Sequence, residues 1–374
     1  MTLVGTRPEV IKLSRVIAEI ERHTDHVLVH SGQNYDYELN EIFFAELAIS
    51  KPDRYLGAVG ATAAETIGLV ISKFDVVLQE EEPDALLVYG DTNTCLGVIA
   101  AKRRKVPIFH MEAGNRCFDQ RVPEELNRKI VDHLSDVNMT NSERARSYLL
   151  SEGLNPQMVI KTGSPMKEVL SYYKESIDAS DILERLKLEF HGYILVSAHR
   201  EENVDPPENL ADLLDTLVAI ADRYDKRVVV STHPRTQQRI STASLFDNEA
   251  SAHPSIHFLP PFGFPDFVHL QMHAFCVVSD SGTLTEESSL LGFPAVMIRE
   301  THERPEGTDA GVLVFSGLKR GPVMRAIDLI TSQPRQPHSG WVPDYDVDNV
   351  SQKVVRTIFS YIDLVNRTVW FRPN

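Results

Sequence analysis

Short apolar runs rich in Val, Ile and Leu alternate along this chain with longer segments whose apolar residues recur at helical spacing. The runs predict strands at Thr2–Val4, Val27–His30, Ala85–Tyr89, Pro107–His110 and Val137–Thr140. A second series follows at Tyr193–Ser197, Arg227–Ser231, Ile256–Leu259, Phe275–Ser279 and Ala295–Ile298. The intervening patterns predict helices over Pro8–Arg22, Ala61–Glu80, Asn93–Lys105, Glu124–Leu134, Asn209–Arg223 and Thr285–Leu291. Strands without polar alternation, each followed by an amphipathic helix, are the mark of parallel βαβ units, so the fold class is α/β. The pattern loosens into a polar stretch between Ser171 and His191, then restarts with a fresh strand. This places the domain boundary there, with Rossmann-like, doubly wound domains over residues 1–170 and 171–349. The last helical segment, within 350–374, is expected to pack back onto the first domain.

The 374-residue length agrees with two domains. An apolar share of 42% with 24% charged residues is ordinary for a chain that buries large cores. No run approaches the ~18 apolar residues of a membrane span. The opening Met1-Thr2-Leu3-Val4-Gly5 lacks a signal-peptide layout, so a cytoplasmic location is expected. A net charge of −15 argues against sequence-independent nucleic-acid binding, which needs a positive surface. Cys95, Cys117 and Cys276 are far apart and form no metal spacing, and no metal is expected.

In doubly wound sheets, ligands bind beyond the carboxyl ends of the strands. In the first half the loops there read Gly5-Thr6-Arg7-Pro8-Glu9, Gly90-Asp91-Thr92 and His110-Met111-Glu112-Ala113-Gly114. In the second half they read Ser197 to Asn203, Ser231-Thr232-His233-Pro234-Arg235 and Ser279-Asp280-Ser281-Gly282-Thr283. Taken singly these residues are ambiguous. Asp91 suits a helix cap as well as an acid or base. Ser281-Gly282 suits a structural turn as well as a phosphate site at a helix N-terminus. His233 alone reads as a hydrogen-bonded loop histidine. Glu112 follows an apolar run, where an unpaired carboxylate is costly, so it should face a partner or a substrate. Glu124 suits the positive end of a helix and stands four residues from Arg128, a pairing distance. Arg7 and Lys12 are placed to meet an anion.

Six polar loops at one rim favour an active-site cleft. No GxGxxG follows the first strand and no GxxxxGK[ST] occurs, so neither a dinucleotide fingerprint nor a P-loop is present. Carboxylates, a histidine, arginines and a helix N-terminus suit acid–base chemistry on a substrate carrying a phosphate or diphosphate.

These loops, together with Pro123-Glu124-Glu125-x-Asn127-Arg128, Asp280-Ser281-Gly282-x-x-x-Glu286-Glu287 and Glu303-Arg304-Pro305-Glu306, resemble the non-hydrolysing UDP-N-acetylglucosamine 2-epimerase family over nearly the whole chain. The resemblance implies two GT-B-like Rossmann domains with the nucleotide in an interdomain cleft, no cofactor, and a homodimer. It implies Asp91, Glu112, Glu124 and His233 as catalytic. It implies Arg7, Lys12 and Arg128 around the substrate. Ser281, Gly282 and Glu287 are implied at the diphosphate and ribose, Phe262 and Phe267 near the uracil, and Arg304 in the Glu-Arg-Pro-Glu segment; Thr283, where many family members have a second Gly, is counted with the substrate-binding residues. Against the acidic surface, Arg7, Lys12, Arg128, Arg200 and Arg304 are the expected local concentration of positive charge.

The string Met111 to Gln120 resembles the capsule and O-antigen branch, which forms UDP-N-acetyl-L-fucosamine from UDP-2-acetamido-2,6-dideoxy-L-talose. Asn34-Tyr35-Asp36 replaces the family's usual His-Arg-Glu, in a region that helps form an allosteric UDP-sugar site in the glucosamine enzymes. The alternatives are a UDP-N-acetylglucosamine 2-epimerase and, from another class, a non-catalytic UDP-sugar sensor.

Overall fold

The computed structural model describes residues 1–32, 44, 47–242, 249–335 and 342–372. The Asn34-Tyr35-Asp36 departure lies outside them. The chain divides into two compact units, Met1–Ser171 with Asp344–Asn374, and Tyr172–Pro343. Each is an α/β body built on one wholly parallel sheet.

The first unit carries β1 (Thr2–Val4), β2 (Leu28–His30), β3 (Arg54–Tyr55), β4 (Leu86–Tyr89), β5 (Ile108–Met111), β6 (Val137–Thr140) and β7 (Val159–Lys161) in the order β3-β2-β1-β4-β5-β6-β7. The strands of the second are β8 (Tyr193–Ser197), β9 (Arg227–Ser231), β10 (Ile256–Leu259), β11 (Cys276–Ser279), β12 (Ala295–Met297) and β13 (Val314–Phe315). They run β10-β9-β8-β11-β12-β13. In both sheets the order reverses beside the first strand, between β1 and β4 and between β8 and β11. Successive connections leave in opposite directions at such a switch point and open a crevice at the strand ends. That is where the polar loops lie.

The central strands are buried on both faces because helices cover the sheet on each side, which is why they read as unbroken apolar runs. Three strands escape the sequence pattern: β3, β7 and β13 are outermost or short pieces of two or three residues. These three are exposed or only partly buried, so they lack the unbroken apolar run that announces the equally short but fully buried β1, β2 and β12. The expected helix over Asn93–Lys105 is a 3₁₀ turn, Asn93–Gly97, followed by Val98–Arg103.

Six helices frame the polar loops or complete the units: α1 (Arg7–Glu21), α2 (Ala63–Glu81), α3 (Pro123–Leu134), α4 (Phe264–His273), α5 (Leu284–Leu291) and α6 (Val350–Thr368). Helix α6 packs on α1 within the first unit. It buries Val350, Val354, Val355 and Val365, and Lys353 Nζ donates to the Thr162 carbonyl at 3.1 Å. Among the described residues no helix is long and apolar enough to cross a membrane.

Candidate functional site

In the first unit the β1 turn feeds α1, so Arg7 is half-buried at its first position while Lys12, one turn on, faces inward. Lys12 Nζ lies 3.0 Å from Glu112 Oε2, with both side chains buried. The same oxygen accepts from the Tyr89 hydroxyl at 2.6 Å and from Asn141 Nδ2 at 3.4 Å. Glu112 thus has the partners its position demanded. Its backbone is left-handed, with φ at 62°. An ordinary residue holds that conformation only when its surroundings enforce it.

Asp91 leaves the end of β4, and Arg128 reaches it from α3, Nε to Oδ2 at 2.6 Å. Asn127 Nδ2 holds the Asp91 carbonyl at 2.9 Å. Arg128 also pairs with Glu125, Nη1 to Oε2 at 3.1 Å. Glu125 is buried and accepts the Cys117 N–H at 3.0 Å, whereas Glu124 is half-buried in the first turn of the same helix.

Glu9 joins this group from a position read only as part of a motif. It accepts from the N–H groups of Gly5 (2.6 Å) and Thr6 (2.8 Å) and from the Thr92 hydroxyl (2.5 Å). Burial nevertheless pushes its carboxyl up to about 7. Tyr89 likewise carries no signal in the sequence, since a tyrosine ending an apolar strand reads as core. Burial raises the thiols of Cys95 and Cys117, as unreactive cysteines require.

In the second unit Asp280, wholly buried after β11, is the organising residue. Its Oδ2 accepts from the N–H groups of His199 (3.0 Å) and Arg200 (2.9 Å) and from Asn203 Nδ2 (3.0 Å). These bonds pin the loop after β8 against the loop after β11. His233 is exposed after β9, its ring 5.9 Å from that of His199. Ser281 and Thr283 are half-buried, with their hydroxyls 3.0 Å apart, and Thr283 is the N-cap of α5.

Gly282 lies between them under a tight roof. A Cβ there would sit 2.6 Å from Glu303 Oε1 and 3.6 Å from Arg304 Nε. Glu303 is held by Arg299 at 2.8 Å and approached by Arg200 at 3.7 Å, while Arg304 pairs with Glu286 at 3.2 Å. Glu287, buried in α5, accepts from Gln271 Nε2 of α4 at 2.6 Å. Phe262, before α4, and Phe267, within it, are half-buried and pack against the core of this unit.

The structure therefore brings together Asp91 with Arg128, Lys12 with Glu112, and Gly282 with Arg304. Lys12, Arg128, Arg200 and Arg304 each already face a carboxylate. An incoming anion would have to share or displace those partners, or use N–H groups at the start of α5. Among the described residues no group of three or more His, Cys, Asp or Glu side chains is disposed to hold a metal.

A family model described as UDP-N-acetylglucosamine 2-epimerase matches residues 18–359. The solved structure of UDP-N-acetylglucosamine 2-epimerase from Rickettsia bellii is 52% identical, with a TM-score of 0.92, covering 100% of this chain and 99% of that one. That of the Methanocaldococcus jannaschii UDP-GlcNAc 2-epimerase, in complex with UDP-GlcNAc and UDP, is 30% identical with a TM-score of 0.90, covering 96% and 99%. The UDP-2,3-diacetamido-2,3-dideoxy-D-glucuronate 2-epimerase of Pseudomonas aeruginosa is 32% identical over 331 residues, 87% of this chain and 90% of its own.

Proposed function

The chain belongs to the UDP-N-acetylglucosamine 2-epimerase family, and from that premise we propose that it inverts C2 of a UDP-activated 2-acetamido sugar by eliminating UDP and adding it back. The protein is an isomerase of the non-hydrolysing kind. C2 of such a sugar is next to no carbonyl, so its proton cannot leave through an enolate. Elimination avoids the difficulty. A base takes the C2 proton, the C1–O bond to UDP breaks, and a C1–C2 double bond forms, giving a 2-acetamidoglycal and UDP. In the return step an acid protonates the other face of C2 and the UDP oxygen rebonds to C1. Nothing is oxidised or reduced.

One observation carries this reading: two carboxylates, Asp91 and Glu112, stand on adjacent strand-end loops, each fixed by its own cation. Glu124, in the first turn of α3, is the third carboxylate assigned to proton transfer. Asp91, Glu112 and Glu124 supply the base and the acid, with Arg7, Lys12 and Arg128 around the sugar. The second unit is assigned the leaving group. His233, Arg304 and the turn Ser281-Gly282-Thr283 stabilise the diphosphate electrostatically. Glu287 holds the ribose, and Phe262 and Phe267 the uracil.

For the sugar, the string Met111 to Gln120 supports UDP-2-acetamido-2,6-dideoxy-L-talose as substrate and UDP-N-acetyl-L-fucosamine as product, a precursor for capsule or O-antigen. The names of the Rickettsia and Methanocaldococcus relatives support UDP-N-acetylglucosamine as the second reading. By family resemblance we also propose a homodimer working in the cytoplasm. Purified protein offered both UDP-sugars in D2O separates the readings. The 6-deoxy sugar should turn over faster and carry deuterium at C2. Faster turnover of UDP-N-acetylglucosamine would establish the second reading, and full retention of protium would rule out elimination. Binding without any turnover would point to a sensor.

A further inference from the structure

His110, the third residue of β5, is wholly buried and takes no part in the chemistry above. Its Nε2 lies 2.8 Å from the carbonyl oxygen of Gly90, the residue before Asp91. A carbonyl can only accept, so Nε2 carries a proton. On the other side of the ring, Nδ1 lies 2.9 Å from Oδ1 of Asp132, which is also wholly buried. Asp132 faces the Gly114 N–H at 3.2 and 3.3 Å, two residues beyond Glu112. It also accepts from Arg116 Nη1 at 2.7 Å. Arg116 continues outward to Glu152, at 2.8 and 2.7 Å. Glu152 in turn meets the half-exposed His133 at 3.1 Å.

Both loops joined by this bridge need holding. Gly90, Glu112 and Gly114 all have left-handed backbones, with φ at 75°, 62° and 81°. A buried charge cluster is a poor way to gain stability alone, because desolvation offsets much of the attraction and a well-packed apolar core does as well. It fixes geometry nonetheless, because buried groups packed this close leave one another little room to shift. Burial alone would raise the Asp132 carboxyl, but His110 and Arg116 hold it below the ordinary carboxylate range.

We propose that His110 and Asp132 are positioning residues, forming a bridge Gly90–His110–Asp132–Gly114 that sets the loop bearing Asp91 relative to the loop bearing Glu112. The proposal rests on the epimerase reading and adds to it a pair that touches no substrate. The orientation of two proton-transfer groups governs rate more than binding, since small misplacements of reacting groups cost large factors in rate.

The experiment compares Asp132→Asn, His110→Gln and His110→Asn with the wild-type enzyme. A glutamine amide nitrogen approximates Nε2 and an asparagine amide nitrogen Nδ1, so the two histidine variants cut the bridge on opposite sides. Each should lower kcat about tenfold or more, with KM and UDP affinity within about twofold. The double variant Asp132→Asn/His110→Gln should be little worse than either single change, because both break one bridge. Amide hydrogen exchange over Asp91–Leu96 should quicken in Asp132→Asn, transmitted through the contact of His110 with the Gly90 carbonyl.

Folded variants with wild-type kcat, or losses that multiply independently, would overturn the bridge. So would a rise in KM matching the fall in kcat/KM, or an unchanged exchange rate at Asp91–Leu96. If Asp132→Asn does not fold, the two histidine variants decide the matter. A wild-type enzyme that neither turns over nor exchanges the C2 proton would overturn the epimerase reading and, with it, the catalytic purpose of the bridge. An active wild type with unaffected variants would overturn the bridge alone.

Discussion

At the scale of single residues, the cations of the candidate site come already paired, which assigns them different work from that of free positive charges. Arg128 orients Asp91 and Lys12 orients Glu112, so removing a carboxylate should affect chemistry before binding. Asp91→Asn should lower turnover at least a hundredfold, the range expected for a general acid or base, while UDP binding measured by calorimetry stays near normal. Untouched activity would refute its catalytic assignment. Glu9 makes a separate prediction for stability. Burial raises its folded pKa from the ordinary 4.5 to about 7. Between those values the folded protein keeps a proton that the unfolded chain releases. The associated stability is therefore full below about pH 4.5 and declines as pH rises toward 7, by about 3 kcal/mol in total at ~1.4 kcal/mol per unit. Denaturant titrations from pH 4.5 to 7.5 should show that decline in the wild type and a flatter profile in Glu9→Gln.

At the scale of elements, both units use one device. A buried acid from one strand-end loop collects donors from the next, Glu9 across the β1 and β4 loops and Asp280 across the β8 and β11 loops. The switch point separates the strands' connections, and these acids then hold the separated loops at a set distance. The turn before α5 depends on lacking a side chain. Gly282→Ala would place a Cβ 2.6 Å from Glu303 Oε1 and push that carboxylate off its arginines. UDP affinity should fall about tenfold, seen as a smaller UDP-induced rise in Tm, with little change in the stability of the unliganded protein. A Tm shift equal to that of the wild type would show that the turn does not carry the diphosphate.

At the scale of the whole molecule, the chain leaves the first unit at Ser171 and returns to it at Asp344, so the first unit is completed only by the last segment. Helix α6 supplies four buried valines at about 1.5 kcal/mol apiece, comparable with the whole margin of a typical domain. Deleting residues 350–374 should therefore unfold the first unit, and calorimetry should show its transition lost or shifted down by more than about 10 °C. Persistence of an unshifted transition would mean that α6 is an accessory. The net charge of −15 also takes on a sharper meaning, since Lys12, Arg128, Arg200 and Arg304 each face a carboxylate of their own unit and the acidic excess lies elsewhere.

The sequence by itself determined the α/β class, the core strands of both sheets, the loops that carry the candidate site and the family. Those properties reside in local periodicity and in short motifs, which survive whatever the rest of the chain does. It did not reveal β3, β7 and β13, because two or three partly solvated residues on an outermost strand make no apolar run. Nor did it reveal who pairs with whom. Lys12 and Glu112 stand 100 residues apart, and Asp91 and Arg128 37, so no local spacing relates them. The same holds for Tyr89 on Glu112 and for the bridge through His110 and Asp132: strand order and helix packing bring these groups within 3 Å. Which carboxylate each cation faces was decided only when strand order and helix packing brought them together.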